Sequence, residues 1–422
     1  MFRLGHWRRL RALAVVLSFL GPGLITGAAG DDAGGVATYA SIGAQYGYGL
    51  LWLMGPITLV LIVVQVQVAR MGVVTGKGFA ELIREEFGVK WTAFAMVVLL
   101  VANGTVTIAE FAGIAAATEL FVPSSRIVVV PIMAVVVWLI VVRASYTVAE
   151  KIFILLSAVL LTYVGAAFLA GPDWSQVALN LVIPSSPPTD MSERVTYLVT
   201  LVAVVGTTIT PYMLFYLQSS ISDKGVSIED YPAERTDVVL GSLLTTVIAV
   251  FIIVSTAATL HKAGLLVTTA EGAARALEPL AGANAELLFG VGLFGASMLA
   301  ASVVPLSTAY AVCGAFGWER GVSRSWSEAP IFNSLYTALI AVAAAFVLLP
   351  GLPLFQVIVA TQFLNGLLLP IVLIFVLKLV NDRELMGQHT NNVAFNILSY
   401  GSTAILVLLA IALLVFTVLG VS

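Results

Sequence analysis

The stretch GAAGDDAGGVATYA, residues 27–40, places two adjacent carboxylates, Asp31 and Asp32, inside the first long apolar run of the chain. Gly27, Gly30, Gly34 and Gly35 flank them, with Ala28, Ala29 and Ala33 adding no bulk. Each glycine costs a helix interior roughly 1 kcal/mol, so the spacing predicts an unwound segment. What an unwound, acidic segment is for depends on what surrounds it.

The 422 residues are 60% hydrophobic and 10% charged, against about 25% charged in soluble proteins. Apolar runs of about 18 or more residues recur along the whole length, each long enough to cross roughly 30 Å of hydrocarbon as a helix. About eleven spans are expected, near 13–47, 50–74, 92–121, 126–143, 150–171, 195–222, 236–260, 284–315, 330–349, 353–379 and 393–419. Period-two alternation is missing, so the class is an all-α integral membrane protein rather than a barrel. With a cytoplasmic amino terminus, 16 of the 20 Lys and Arg residues fall inside and only Arg126, Arg194, Lys262 and Arg275 outside. The positive-inside rule therefore favours a multi-pass protein of the cytoplasmic membrane, its carboxyl terminus outside. The first run extends far past a short signal core and lacks a cleavage site, so no cleavable leader is expected. The single cysteine, Cys313, reads as a small packing residue.

Two other polar segments stand out. Residues 171–194 read as a long outer loop separating spans 1–5 from spans 6–11, and KGFAELIREEFG, residues 77–88, reads as an amphipathic surface helix.

In that setting the unwound segment has to face protein or a water-filled cavity, because lipid solvates neither its carbonyls nor its amides. A charge at the bilayer centre costs at least about 2.5–3.5 kcal/mol on insertion scales, so a carboxylate kept there wants a cation or a proton. Span 6 repeats the arrangement: VVGTTITPYMLFYLQSS, residues 204–220, carries Gly206, three threonines and Pro211. Pro211 removes an amide hydrogen and clashes with the preceding turn. Interruptions in the first span of each half point to a transporter with inverted repeats and a midplane site. Asp31, a neighbour in an unwound turn, either joins that site or caps the helix that follows. Glu110 in span 3 reads as a pathway carboxylate or as a neutral acid bonded to backbone. Glu119 reads as a rim residue. Gln362 and Asn365 in span 10 are either interhelical hydrogen-bonders or neutral oxygen donors to an ion.

At these residues the chain resembles the natural resistance-associated macrophage protein (Nramp) family of divalent metal transporters. The stretch GPGLITGAAGDDAGGVATYASIGAQYGYGLLW aligns without gaps to that family's first span, and the match continues through VARMGVVTGKGFAELI. The family's Asp-Pro-Gly-Asn motif falls on Asp32, Ala33, Gly34 and Gly35, its Met-Pro-His-Asn motif on Thr210, Pro211, Tyr212 and Met213, and its span 10 glutamine on Gln362. The resemblance implies the LeuT-type fold, with broken helices 1 and 6: two inverted five-helix repeats, 13–171 and 195–379, plus an eleventh helix at 393–419. It also implies a metal site at Asp32, Thr210, Gln362 and backbone oxygens near Ala29 and Thr207. Asp31, Gly35, Thr107, Glu110, Tyr212 and Asn365 would then line the pathway.

The departures shape the expected substrate. Gly35 replaces an asparagine ligand and Thr210 the methionine ligand, leaving a roomier, sulfur-free, oxygen-lined pocket. Oxygen suits magnesium, calcium and manganese, whereas thioether sulfur favours softer metals. Thr107 and Tyr212 stand where the parent family has its proton-linked aspartate and histidine, and His6, His261 and His389 lie in terminal or loop segments. The combination is similar to the Nramp-related magnesium transporters. The expectation is thus a carrier, not an enzyme, moving Mg2+ and also Mn2+ by alternating access without proton coupling. It needs no cofactor, no nucleic acid and no obligatory protein partner besides the bilayer. Rival readings are a proton-coupled Mn2+/Fe2+ symporter, a sodium-coupled organic solute carrier and a metal-binding membrane sensor. An intramembrane aspartyl protease lacks its second aspartate in span 6, and a nucleotide-driven pump its phosphate-binding loop.

Overall fold

The computed structural model describes residues 27, 30–142, 158–321 and 324–418. Among them there is helix and turn but no strand. The chain runs through α1 (Ala33–Tyr46), α2 (Met54–Thr75), α3 (Phe79–Glu119), α4 (Arg126–Val142), α5 (Thr162–Leu169) and α6 (Trp174–Val182). It continues through α7 (Met191–Thr208), α8 (Pro211–Lys224), α9 (Tyr231–Thr256), α10 (Ala285–Phe316), α11 (Pro330–Val347), α12 (Leu354–Val380) and α13 (Val393–Val418). Eight helical stretches are long and apolar enough to cross a membrane, and shorter apolar ones occupy Arg126–Val142 and Ala158–Leu169, where spans 4 and 5 were expected. Residues 13–26 of the first expected span lie outside the described residues, as do 143–157, the stretch linking spans 4 and 5.

One expectation changes. The segment at 77–88 is helical, as expected, and is joined to the third span through Gly88, whose φ 74°, ψ −179° is non-helical and open to glycine. The segment 171–194 is not only loop. Asp173 accepts from the amides of Ser175 and Gln176 and so starts α6, a cap that composition alone did not single out.

Small residues bring the helices to backbone contact. A Cβ on Gly43 of α1 would overlap the Thr256 hydroxyl of α9, and one on Gly206 of α7 would overlap the Gln362 carbonyl and Gly366 amide of α12. Lipid gives apolar helices no hydrophobic reason to associate, so such close approach supplies the packing contacts instead. Helix α3 packs along α10 and α12, while α1 lies against α9, α12 and α7. His261 Nδ1 meets the Ala44 carbonyl at 2.9 Å, tying the π-helical end of α9 to the end of α1.

The described basic residues sort to the two ends of the bundle. Arg70 bonds Asn391, Lys77 pairs with Glu85, Arg320 with Glu81, and Lys378 lies over the Phe87 ring. At the opposite end Arg126 bonds the Leu352 carbonyl and pairs with Glu119, the expected rim residue. The former end is called the basic face below.

Gly206→Leu is expected to abolish monodisperse protein in detergent, since backbone on both sides has no room to yield and overpacking alone costs about 1–3 kcal/mol or more. Gly401→Ala, where a Cβ meets open space, should leave the thermal melt unchanged or raise it.

Candidate functional site

The first interruption ends at Asp32, which is the N-cap of α1. Its Oδ1 accepts from the Gly35 amide at 2.8 Å and its carbonyl from the Val36 amide at 3.1 Å. A Cβ on Gly35 would stand 3.0 Å from the Gly30 carbonyl, a tight fit in the turn. The next free amide, Ala33 N, donates to Glu110 Oε2 of α3 at 3.3 Å. One helix N-terminus therefore serves two carboxylates, and its partial positive charge favours both.

Each carboxylate keeps one oxygen unserved. Asp32 Oδ2, Glu110 Oε1 and the neighbouring Asp31 Oδ1 are buried with no hydrogen-bond partner, and the three residues are only 1%, 0% and 3% exposed. The Asp32 and Glu110 carboxyls lie within side-chain hydrogen-bonding reach of each other. Two such acceptors face each other stably only with a proton or a cation between them. Among the described residues no Lys, Arg or His pairs with any of the three.

The second interruption lies between α7 and α8. Pro211 opens α8 at its first position and confines Thr210 to extended backbone, φ −86°, ψ 142°. Thr210 Oγ1 faces the Tyr212 phenol and meets no partner in hydrogen-bonding geometry, and Thr207 Oγ1 is likewise unpartnered. Tyr212 is fully buried within electrostatic reach of Asp32, Glu110 and Asp31.

Two links hold the interruptions together. Tyr39 of α1 shares a 2.9 Å hydrogen bond with Thr208 of α7. Gln362 of α12 spans both: its amide nitrogen occupies the space a Cβ on Gly34 would fill, and its carbonyl lies against Gly206. Asn365 Nδ2 donates to Gln362 Oε1 at 3.4 Å, leaving Asn365 Oδ1 unpartnered.

Of the residues singled out from sequence, Asp31, Asp32, Gly35, Glu110 and Gln362 gather around the first interruption, with Thr207, Thr210 and Tyr212 at the second and Asn365 against Gln362. Thr107 Oγ1 donates to the Asn103 carbonyl of its own helix at 2.7 Å. Ala29 lies outside the described residues. Met213 packs its methyl on Gly30, and its sulfur accepts from Gln65 Nε2 at 3.9 Å. Met213 was legible as the fourth residue of the span 6 motif. Ser297, by contrast, lies against Gly113 beside Ala33 with an unpartnered hydroxyl that no motif marked.

Buried orphan oxygens cost about 1–3 kcal/mol each, and a hard cation would satisfy several at once. Among the described residues no three His, Cys, Asp or Glu side chains form a metal cage. An ion here would thus be held by few charges and mostly neutral oxygens. A cavity of about 450 Å3, lined by Thr38, Ser41, Gln45, Thr200 and Gln356, leads from the end opposite the basic face down to Thr38 of α1.

A helical bundle with two facing interruptions at mid-depth is the LeuT fold. A manganese transporter of Eremococcus coleocola superposes with a TM-score of 0.74 at 22% identity, over 94% of this chain and 86% of that one. Mhp1, a nucleobase-cation-symport-1 family transporter, superposes at 0.55 with 14% identity over 94% and 92% of the two chains. Residues 23–416 match the family model described as natural resistance-associated macrophage protein-like, and the chain belongs to that family. Among curated relatives, the divalent metal cation transporter MntH of Pectobacterium carotovorum is 28% identical over 390 residues, 89% of each chain. The protein of the same name from Granulibacter bethesdensis is 26% identical over 419 residues, 96% of this chain and 90% of the relative.

The Tyr39–Thr208 link should be measurable as coupling. Tyr39→Phe and Thr208→Val are each expected to lower the apparent melting temperature, and the double variant to fall short of their sum by the equivalent of about 0.5–1.5 kcal/mol. Strict additivity would mean that the two interruptions are held together by packing alone.

Proposed function

We propose that this chain imports divalent cations, Mg2+ and also Mn2+, across the cytoplasmic membrane by alternating access and without proton coupling. The observation that carries the reading is the buried Asp32 Oδ2, unpartnered at the N-terminus of a half-helix and with no basic residue pairing with it among the described residues. Asp32 is the anionic ligand, with Thr210, Gln362 and backbone oxygens near Thr207 and Ala29 as neutral donors. Asp31, Glu110, Asn365, Gly35 and Tyr212 shape the approach, and one or two retained waters complete a magnesium shell, since that ion sheds water reluctantly. Residues 13–171 and 195–379 form the two inverted repeats that rock about the site, with 393–419 outside them. The relatives' name, divalent metal cation transporter, supports the substrate class.

Arg70, Lys77, Arg320 and Lys378 at one end of the bundle, against Arg126 at the other, support a cytoplasmic basic face under the positive-inside rule. Two charges entering an inside-negative compartment gain about 2 × 2.3 kcal/mol per 100 mV, a drive that makes proton coupling dispensable.

A second reading, a proton-coupled symporter of softer metals such as Mn2+ and Fe2+, is favoured by one observation: the Met213 thioether at Gly30. Sulfur selects transition metals.

Uptake by purified protein in liposomes tests the proposal. Asp32→Ala is expected to cut Mg2+ and Mn2+ flux about 100-fold or more, the scale of removing one partner from a buried charged pair. Unchanged Mg2+ flux in that variant rejects the site.

Thr210→Met should shift preference toward softer metals, and Met213→Leu should leave Mg2+ uptake intact. Metal-driven acidification of the lumen, read by a pH-sensitive dye, together with loss of uptake in Met213→Leu, would instead establish the symporter.

A further inference from the structure

Lys77 and Arg320 at the basic face each have a carboxylate partner. Arg70, near the end of α2, has none among the described residues, and neither has Arg235, in the first turns of α9. The two cations lie within electrostatic reach of each other. The phenol of Tyr231, one turn before Arg235, lies within reach of both.

Arg70 is held in place all the same. One terminal nitrogen donates to Asn391 Oδ1, Asn391 Nδ2 donates in turn to Asn396 Oδ1 at 3.0 Å, and the guanidinium carbon lies 5.9 Å from the centre of the Phe395 ring. These partners are all neutral. Arg70 Nε is buried with no partner at all. A half-buried cation fixed by neutral groups, with a second cation in reach, is costly until an anion completes it.

The position of Arg70 narrows the choice of anion. On one side α2 is bonded to α9, by Thr58 Oγ1 to Thr246 Oγ1 at 2.9 Å and by Ser242 Oγ to Gln65 Oε1 at 3.4 Å. On the other, Gln67 donates to Ser399 of α13. Between these contacts runs a face shared by Leu59 and Arg70, roughly three turns apart, and Leu59 is 46% exposed. The flanking helices expose Leu240, Leu243 and Leu244 of α9 and Ile397 and Tyr400 of α13. The two arginines therefore stand where an apolar, lipid-facing strip ends at the basic face.

We propose that Arg70 and Arg235, with the Tyr231 phenol, hold the phosphate of an anionic phospholipid whose acyl chains lie along α2 between α9 and α13. A guanidinium binds two phosphate oxygens at once through its parallel N–H groups. Basic pockets between membrane helices are where charged headgroups settle. Two cations without a carboxylate favour a headgroup of net negative charge, because they repel the ammonium of a zwitterionic one.

The full chain, purified in detergent, is mixed with dioleoyl phosphatidylglycerol, dioleoyl phosphatidylcholine or inorganic phosphate and followed by native mass spectrometry and thermal melting. One phosphatidylglycerol per chain is expected to stay bound and to raise the apparent melting temperature by about 3 °C or more. Phosphatidylcholine should bind about tenfold more weakly. Arg235→Gln, at an exposed position, should weaken phosphatidylglycerol about tenfold, and Arg70→Gln at least as much. Lys262→Gln, beyond the other end of α9, should alter neither reading. Equal binding of the two lipids, or undiminished phosphatidylglycerol binding by Arg235→Gln, overturns the proposal. Equal protection by inorganic phosphate does so too, since the site would then serve a free anion.

Discussion

One short helix start holds the centre of this protein. The amides of Ala33 and Gly35 are the free N–H groups that any helix leaves at its beginning, and here Glu110 and Asp32 take them. The dipole of α1 contributes the equivalent of about half a positive charge. Against it stand the carboxyls of Asp31, Asp32 and Glu110, all buried. Half a charge does not balance three acids in a medium without water, so the remainder has to come from protons or from an ion. The unserved oxygens on the same three residues say where that positive charge would lie.

Much of the surrounding architecture follows from keeping those groups close without filling the space between them. Gln362 illustrates it. A side chain on Gly34 would expel its amide, and a side chain on Gly206 would push away its carbonyl, so two glycines on two interrupted helices let one residue of α12 touch both. The same logic explains why Gly113 of α3 meets Ala33 and Ser297 at once. In lipid these contacts also do the work of association, since oil offers apolar helices no gain on meeting. The residues that shape the site and those that hold the bundle together are therefore largely the same, which ties the position of Asp32 to the stability of the whole fold.

The sequence made the fold legible because its strongest signals, long apolar runs and an acidic glycine cluster inside one of them, have few physical solutions. Pro211 marked the second interruption for an equally local reason: it has no amide hydrogen and restricts Thr210. Other features depended on which face a side chain turns, and a run without amphipathic periodicity hides that. The Thr107 hydroxyl, for one, donates back to the Asn103 carbonyl of its own helix. Met213 sat in plain view beside Tyr212, but one step along a helix turns a side chain by about 100°, so its methyl packs on Gly30 while the phenol lies within electrostatic reach of the carboxylates. The cap at Asp173 and the kink at Gly88 escaped because each is a single-residue event inside a stretch whose average properties say loop or helix.

The balance of charged and neutral oxygens bears on how such a site works. Coulomb attraction between a divalent ion and each carboxylate is large wherever water is excluded, so a cage of three or four acids would hold its ion rather than pass it on. Passage demands binding favourable enough to draw the ion from water and weak enough to release it. Around the interruptions the hydroxyls of Thr207 and Thr210 and the amides of Gln362 and Asn365 outnumber the acids, and one acid oxygen on Asp32 and one on Glu110 is already committed to a backbone amide. Those two amides weaken each carboxylate's hold on an ion while keeping it oriented. A helix start that partly satisfies its acids thus sets an intermediate affinity, which neither bare carboxylates nor neutral oxygens alone would give.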